Sequence, residues 1–160
     1  MGGERQINEA LLRSIASQWG THQSQYFDRI DVFPAGKEDR VIGYFAEDHY
    51  PDLVTTTRIE LRIRVNGDLN LEYVERWDGA DWRCRWDRHE NPHNTYEHFH
   101  VPPSIRTDDA VDVEYHDPPF GVIEVAFEFV EDRVGALWDE PRYPDEDDFS
   151  WEYGPDIRQG

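Results

Sequence analysis

The chain has 160 residues and a formal net charge of -19, from 35 acidic and 16 basic residues. Its length predicts a single domain, which we place at residues 1–138, followed by an acidic C-terminal tail at 139–160 that contains aromatic residues. No apolar run approaches the ~20 residues of a transmembrane helix, and the N-terminus lacks the apolar region of a signal peptide. The composition therefore excludes a membrane protein and favours a cytoplasmic one.

The acidic charge is spread along the whole chain, and Lys37 is the only lysine. A dense carboxylate surface keeps a protein hydrated in molar salt, where charges are screened within about 3 Å. We therefore interpret the chain as a protein of a halophilic archaeon. Because salt also screens repulsion between carboxylates and phosphates, the net charge does not exclude an RNA partner.

The first elements in chain order are a helix and two strands. Apolar residues at helical spacing predict a helix over residues 6–19, which Gly20 is placed to end. Aromatic and β-branched residues then predict strands over 25–33 and 40–46, with a turn at 34–36 between them.

The middle of the chain predicts an antiparallel meander. Residues 55–65 alternate between apolar and charged side chains, and Asn66-Gly67 is typical of a tight type I′ hairpin turn. The return strand is predicted at 69–77, and Asp78-Gly79 connects it to a further strand at 80–87. Tight turns of this kind imply that neighbouring strands run antiparallel.

The last part of the domain predicts a short strand at 109–115 and a longer helix at 120–138. The whole chain is therefore predicted to be an α+β protein. It has an antiparallel β-meander sheet, with an N-terminal helix and a longer C-terminal helix packed on one face.

Four of the seven histidines fall in one short stretch, directly after a cluster of charged residues. The histidines are His89, His93, His98 and His100, and the charged residues are Arg83, Arg85, Asp87 and Arg88. Because alternate residues of a strand share a face, Trp82, Cys84 and Trp86 are predicted to point into the core. Arg85 and Asp87 then point to the opposite face, where we expect His98 and His100 of a following extended segment to join them on one exposed surface. His89 and His93 are further candidates, and His22, His49 and His116 read as ordinary surface residues.

The histidine cluster has three possible interpretations. The first is a metal-independent ribonuclease, in which Asp87 orients one imidazole, His98 and His100 act as acid and base, and Arg85 stabilises the phosphate. Arg83, Arg88, His89 and His93 would then contact the substrate. The second is a transition-metal site of His89, His93, His98 and His100. Only this second interpretation needs a cofactor. The third is a non-catalytic interaction surface in which histidines pair with carboxylates.

The sequence Arg85-Trp-Asp-Arg88, a short loop, and His98-Phe-His100 resemble the motif of the TumE-like toxin components of toxin–antitoxin pairs. That motif reads Arg-Tyr-Asp-Asn followed by His-His-x-His, and it follows a β-meander and precedes a helix. The resemblance covers residues of about 55–138. This chain departs from it at Trp86, at Arg88, and in the interrupted histidine doublet. The resemblance implies a growth-inhibiting protein paired with an antitoxin-like protein, while RNA cleavage is inferred from the residues themselves.

Overall fold

A computed structural model describes residues 6–90, 96–103 and 110–144 of the chain. These ranges hold two α-helices, and seven strands that follow one another across a single sheet in chain order. The helices are α1 (Glu9–Thr21) and α2 (Phe120–Asp139), and the strands are β1 (Phe27–Val32), β2 (Val41–Phe45), β3 (Val54–Ile63), β4 (Leu69–Trp77), β5 (Ala80–Arg88), β6 (Glu97–His100) and β7 (Ala110–Asp112). Every neighbouring pair is antiparallel, so the predicted α+β meander is confirmed.

Helix α1 begins three residues later than the sequence predicted. The Asn8 side chain accepts a hydrogen bond of 3.2 Å from the Leu11 amide, which is the usual way to cap a helix N-terminus. The residues before it continue the sheet, because the carbonyl of Gln6 accepts a bond of 2.8 Å from the Val65 amide. Pairing with the end of β3 therefore replaces the first predicted turn of the helix.

The turn between β3 and β4 differs from the predicted type I′ hairpin. Only Gly67 of the Asn66-Gly67 pair has a positive φ, at 94°, whereas a type I′ turn requires it at both positions. The Gly67 amide donates to the Arg64 carbonyl at 3.0 Å, and the Asn66 side chain accepts from the Asp68 amide at 3.0 Å. The connection is therefore a longer loop in which a glycine supplies the left-handed residue.

The hydrophobic core lies between the two helices and one face of the sheet. Trp19 of α1 packs edge-on against Phe127 of α2, with ring centroids 5.8 Å apart. Trp82, Cys84 and Trp86 of β5 are all buried in this core, as predicted. Burial raises the pKa of the Cys84 thiol, which agrees with a packing role rather than a reactive one.

A buried ion pair fastens α2 to the sheet. The Arg133 guanidinium donates to both carboxylate oxygens of Glu75, at 2.6 and 2.8 Å, and Glu75 has no exposed surface. The Tyr73 hydroxyl and the Trp77 indole also donate to this carboxylate, at 2.7 and 3.1 Å.

Neither of the helices described combines the length and the apolar character that crossing a lipid bilayer demands.

The first residues after α2 contact the domain. Tyr143 packs edge-on against Trp77, with ring centroids 5.8 Å apart, and its hydroxyl donates to the Asp81 carbonyl at 3.0 Å. The remainder of the predicted acidic tail, residues 145–160, lies outside the described residues.

The opposite face of the sheet is lined with charged and polar side chains. Two adjacent rows of cross-strand partners run over β3, β4, β5 and β6. One row is Glu60, Glu72, Arg85 and His100, and the other is Arg62, Asn70, Asp87 and His98. Arg85, Asp87, His98 and His100 therefore share the helix-free face of the sheet, whereas Arg88 falls on the alternation of the core residues Cys84 and Trp86.

Candidate functional site

The centre of the candidate site is the carboxylate of Asp87, which faces three imidazole rings. The Nε2 atom of His100 lies 2.9 Å from Oδ2 of Asp87, and the Nε2 atoms of His98 and His89 each lie 3.4 Å from the same oxygen. The His98 ring is edge-on to both other rings, with centroids 4.9 Å from His89 and 5.1 Å from His100. We call Asp87, His89, His98 and His100 the histidine–aspartate cluster.

Two further side chains orient the Asp87 carboxylate. The Arg85 Nε atom lies 2.8 Å from Oδ1 and 2.9 Å from Oδ2, and the Asn70 amide donates to Oδ1 at 2.8 Å. Asn70 was not among the predicted site residues. Counting residues back from the Asp78-Gly79 turn would have placed it opposite Asp87, because that turn sets the register of β4 and β5.

Three of the four members of the cluster are buried, which differs from the exposed surface that the sequence predicted. Asp87 and His98 have no exposed surface and His100 is 3 % exposed. A carboxylate can be buried at this position because Arg85, Asn70 and the imidazoles supply it with donors.

Burial by itself would raise the pKa of Asp87. The imidazoles of His100, His89 and His98, which all face the carboxylate, together with the charge of Arg85, outweigh that effect. The pKa of Asp87 therefore lies well below its ordinary value, and the carboxylate is ionised at neutral pH.

His89 is the member of the cluster that reaches furthest towards solvent, with a side chain that is 32 % exposed. Its Nδ1 atom lies 2.9 Å from the Glu90 carbonyl, while its Nε2 atom faces the Asp87 carboxylate. Both ring nitrogens therefore face acceptors, which favours the doubly protonated imidazolium. The hydrogen bond to Asp87 is the main reason why the pKa of His89 is raised above its ordinary value.

Tyr115, which follows β7 in the chain, links β5 to β6 through its hydroxyl. Its hydroxyl accepts a hydrogen bond of 2.9 Å from the Asp87 amide and donates to the His98 carbonyl. The Tyr115 amide donates to the Glu97 side chain at 3.2 Å. No local signal in the sequence indicates this contact, which joins residues far apart in the chain.

The other predicted site residues lie outside the cluster. Arg83 pairs with Glu72 at 3.5 Å, so it lies on the same face of the sheet but at a neighbouring position. Arg88 donates to Glu97 at 3.1 Å and to the Gly67 carbonyl at 3.0 Å. His93 falls outside the described residues.

Two cavities flank His89 on this face. The first, which we call the arginine cavity, has a volume of about 380 Å³. Its lining residues are Arg40, Glu60, Leu61, Arg62, Asn70, Glu72, Arg85 and His89. The second, which we call the tyrosine cavity, has a volume of about 550 Å³ and is lined by Arg64, Asn66, Asp68, Asn70, His89, Glu90 and Tyr96. Arg85 and His89 are therefore the groups through which a ligand in the arginine cavity would meet the cluster.

Part of the cluster also has the composition of a metal site. Among the residues described, Asp87, His98 and His100 each offer a ligand atom, and these atoms lie within 4.8 Å of one another. The candidate metal ligands therefore differ from the predicted ones, because Asp87 joins His98 and His100. Arg85 acts against a dication here, because its guanidinium lies 2.8 Å from the same carboxylate.

The chain matches a known protein family. The family model described as Toxin TumE matches residues 13–134. This match begins within α1, so it includes β1 and β2, which the resemblance found in the sequence had left outside. No curated protein and no solved structure matches the chain.

Proposed function

The chain belongs to the toxin TumE family, and from this premise we propose that it is a toxin of a toxin–antitoxin pair that cleaves RNA without a metal. The observation that carries the proposal is the convergence of three imidazoles and a guanidinium on the ionised carboxylate of Asp87. Paired imidazoles, one basic and one acidic, are suited to moving protons at neutral pH. A guanidinium beside them is suited to stabilising a phosphorane.

The proposed reaction uses the 2′-hydroxyl of RNA as the nucleophile. One imidazole of the His98–His100 pair takes the hydroxyl proton while the 2′-oxygen forms a bond to phosphorus. The bond from phosphorus to the 5′-oxygen then breaks, and the other imidazole gives its proton to that leaving oxygen. Asp87 keeps the rings oriented, and Arg85 and the neighbouring Arg83 stabilise the negative charge that develops on phosphorus. The products carry a 2′,3′-cyclic phosphate and a 5′-hydroxyl.

Burial of the cluster determines how a substrate would approach. Because His98 and His100 are almost fully buried, the phosphate enters from the arginine cavity and first meets Arg85 and His89. The His100 Nε2 atom lies 3.4 Å from the Arg85 guanidinium, so a phosphate held by Arg85 is next to this ring. A site that excludes water in this way strengthens the charge interactions in the transition state.

The proposal is tested by replacing both buried imidazoles and following growth and transcript ends. His98→Gln with His100→Gln should abolish growth inhibition in a halophilic host, because glutamine fills similar space but cannot exchange protons. Mapped transcript ends in cells that express the wild-type chain should carry 2′,3′-cyclic phosphates. The exposed His22→Gln variant is the matched control and should remain toxic.

Circular dichroism and the thermal midpoint of the double variant show whether it is folded. A folded double variant that is still fully toxic would contradict the proposal. So would wild-type transcript ends that carry 5′-phosphates.

A second candidate function is a transition-metal site in the same cluster, and the spacing of its atoms favours it. Ligands bound at about 2.0–2.1 Å to a tetrahedral metal lie about 3.4 Å apart. This is the distance from Oδ2 of Asp87 to the Nε2 atom of His98, and the Nε2 atom of His100 lies 2.9 Å from the same oxygen.

Metal analysis of untagged protein separates the two candidates. A stoichiometric zinc, nickel or copper ion that is lost in the His98→Gln/His100→Gln variant supports the metal site. Protein that holds no such ion and remains toxic after chelation supports proton transfer by the imidazoles.

We also infer a halophilic archaeal origin and an antitoxin-like partner. The origin rests on the net charge of -19 and the near absence of lysine. The partner rests on family membership. Refolding against increasing KCl should give rising stability, because salt screens the repulsion among carboxylates. A chain that is most stable without salt would exclude the halophilic origin, and the lack of an adjacent antitoxin gene would weaken the pairing.

A further inference from the structure

The tyrosine cavity is a second binding space that the proposed chemistry does not use. It shares Asn70 and His89 with the arginine cavity, so the two cavities adjoin on either side of His89. A chain-like ligand that places one phosphate at Arg85 and His89 would therefore extend into the tyrosine cavity with its next group.

Tyr96 gives this cavity an aromatic wall that is already oriented. The Arg88 guanidinium lies over the ring, 4.8 Å from its centroid, and the Tyr96 hydroxyl donates to Asp68. The residue nevertheless keeps 36 % of its surface exposed. An exposed aromatic ring beside an arginine is the usual platform on which a single-stranded nucleic acid stacks a base.

The charges around the cavity indicate which bases fit. Glu90 is exposed and Asp68 is already engaged by the Tyr96 hydroxyl and by the Asn66 side chain. The Glu90 carboxylate only accepts hydrogen bonds, so it favours a base that carries an amino group. Cytosine offers such a group at N4, whereas uracil has a carbonyl oxygen at the same position.

We propose that the tyrosine cavity is a nucleobase subsite that binds an amino-bearing base of single-stranded RNA. The base stacks on Tyr96 and donates to Glu90, and the adjoining phosphate lies at His89. This inference rests on the proposed RNA cleavage and names the kind of substrate that the site takes, with cytosine preferred over uracil.

Binding to this subsite can be measured separately from cleavage. Octamers of 2′-O-methylcytidine and 2′-O-methyluridine lack the 2′-hydroxyl nucleophile, so they bind without being cleaved. Fluorescence anisotropy at one fixed KCl concentration should give tighter binding of the cytidine octamer. Tyr96→Leu should weaken the binding of both octamers by about 5- to 150-fold, which is the range expected for one lost stacking contact.

Two further variants sharpen the test. Glu90→Gln leaves the stacking platform intact and should remove the preference for cytidine while retaining affinity for the uridine octamer. Tyr143→Leu is the matched control, since Tyr143 is 37 % exposed but lies beside Trp77, and its octamer affinities should equal those of the wild type. Because Glu90 is exposed, its substitution tests the subsite even if Tyr96→Leu fails to fold.

The subsite and the proposed cleavage fail in different ways. Octamer affinities that are the same for wild type, Tyr96→Leu and Tyr143→Leu overturn the subsite, as does equal binding of cytidine and uridine by the wild type. Loss of binding in Tyr96→Leu supports the subsite even if natural RNA is left intact, in which case the cleavage chemistry alone is wrong.

Discussion

Asp87→Asn tests whether the buried carboxylate holds the site together. Removing one partner of a buried ion pair usually costs about 3–5 kcal/mol. Two features of this site reduce that cost. The Arg85 side chain is 25 % exposed, so it can regain water, and asparagine keeps one oxygen that can accept from Arg85 or Asn70. We therefore expect a loss of about 2–4 kcal/mol near pH 7, or roughly 4–16 °C in the thermal midpoint.

The pH dependence of this loss follows from the raised pKa of His89. A histidine whose pKa is raised in the folded state contributes its full stabilisation at pH values below the pKa of the unfolded chain, which is about 6.5. That contribution disappears as the pH rises through the folded value. Because Asp87→Asn removes the partner of His89, the stability difference from the wild type should be larger near about pH 6 than near about pH 9.

The assay is urea unfolding followed by tryptophan fluorescence at both pH values and at constant KCl. Asp81→Asn is the control, because Asp81 pairs with Arg76 at 3.2 Å near the surface, where the Arg76 side chain is 59 % exposed and the Asp81 side chain 33 %, and its loss should stay below about 1 kcal/mol. The reasoning is refuted if Asp87→Asn costs no more than this control, or if its cost is the same or greater at high pH.

Two further predictions concern the fold. Glu75→Gln should cost about 3–5 kcal/mol in urea unfolding, because Arg133 is only 11 % exposed and would keep its charge without a carboxylate. Replacing Glu75 and Arg133 together with methionine should recover part of that loss, because both charges are removed but the Trp77 indole loses its acceptor. A double variant as unstable as the single one would contradict the explanation. Gly43→Ala should cost about 1–3 kcal/mol in thermal melts, since the added Cβ would lie 2.4 Å from the Phe27 ring. Gly135→Ala within α2 is the matched control, because its added Cβ meets no atom within 4 Å, and it should stabilise the fold by about 0.5–1 kcal/mol. An equal loss of stability in both variants would argue against steric crowding at Gly43.

Short-range patterns in the sequence were sufficient to predict most of the elements. The alternation along 55–65 and the helical spacing of 120–138 depend only on neighbouring residues, and β3 and α2 lie there. The same alternation predicted the burial of Trp82, Cys84 and Trp86. The alternation of buried and exposed residues does not extend to Val65, which is 49 % exposed because β3 ends at Ile63.

The approach of His98 and His100 to Asp87 was predictable because adjacent antiparallel strands place alternate residues on one face. The degree of burial was not predictable in this way. It depends on Asn70, Arg85 and His100 together satisfying the carboxylate, a balance of contacts from β4, β5 and β6.

The sequence by itself determined the meander, the two helices and the face on which the charged residues lie, since each follows from the local period of apolar side chains. The tertiary structure alone decided that Asp87, His98 and His100 are enclosed, that Tyr115 bridges their strands, and that His89 stands between two cavities. The physical reason is that a hydrogen bond or a wall of a cavity is made by side chains that meet only when distant segments pack together, and no local period encodes that meeting.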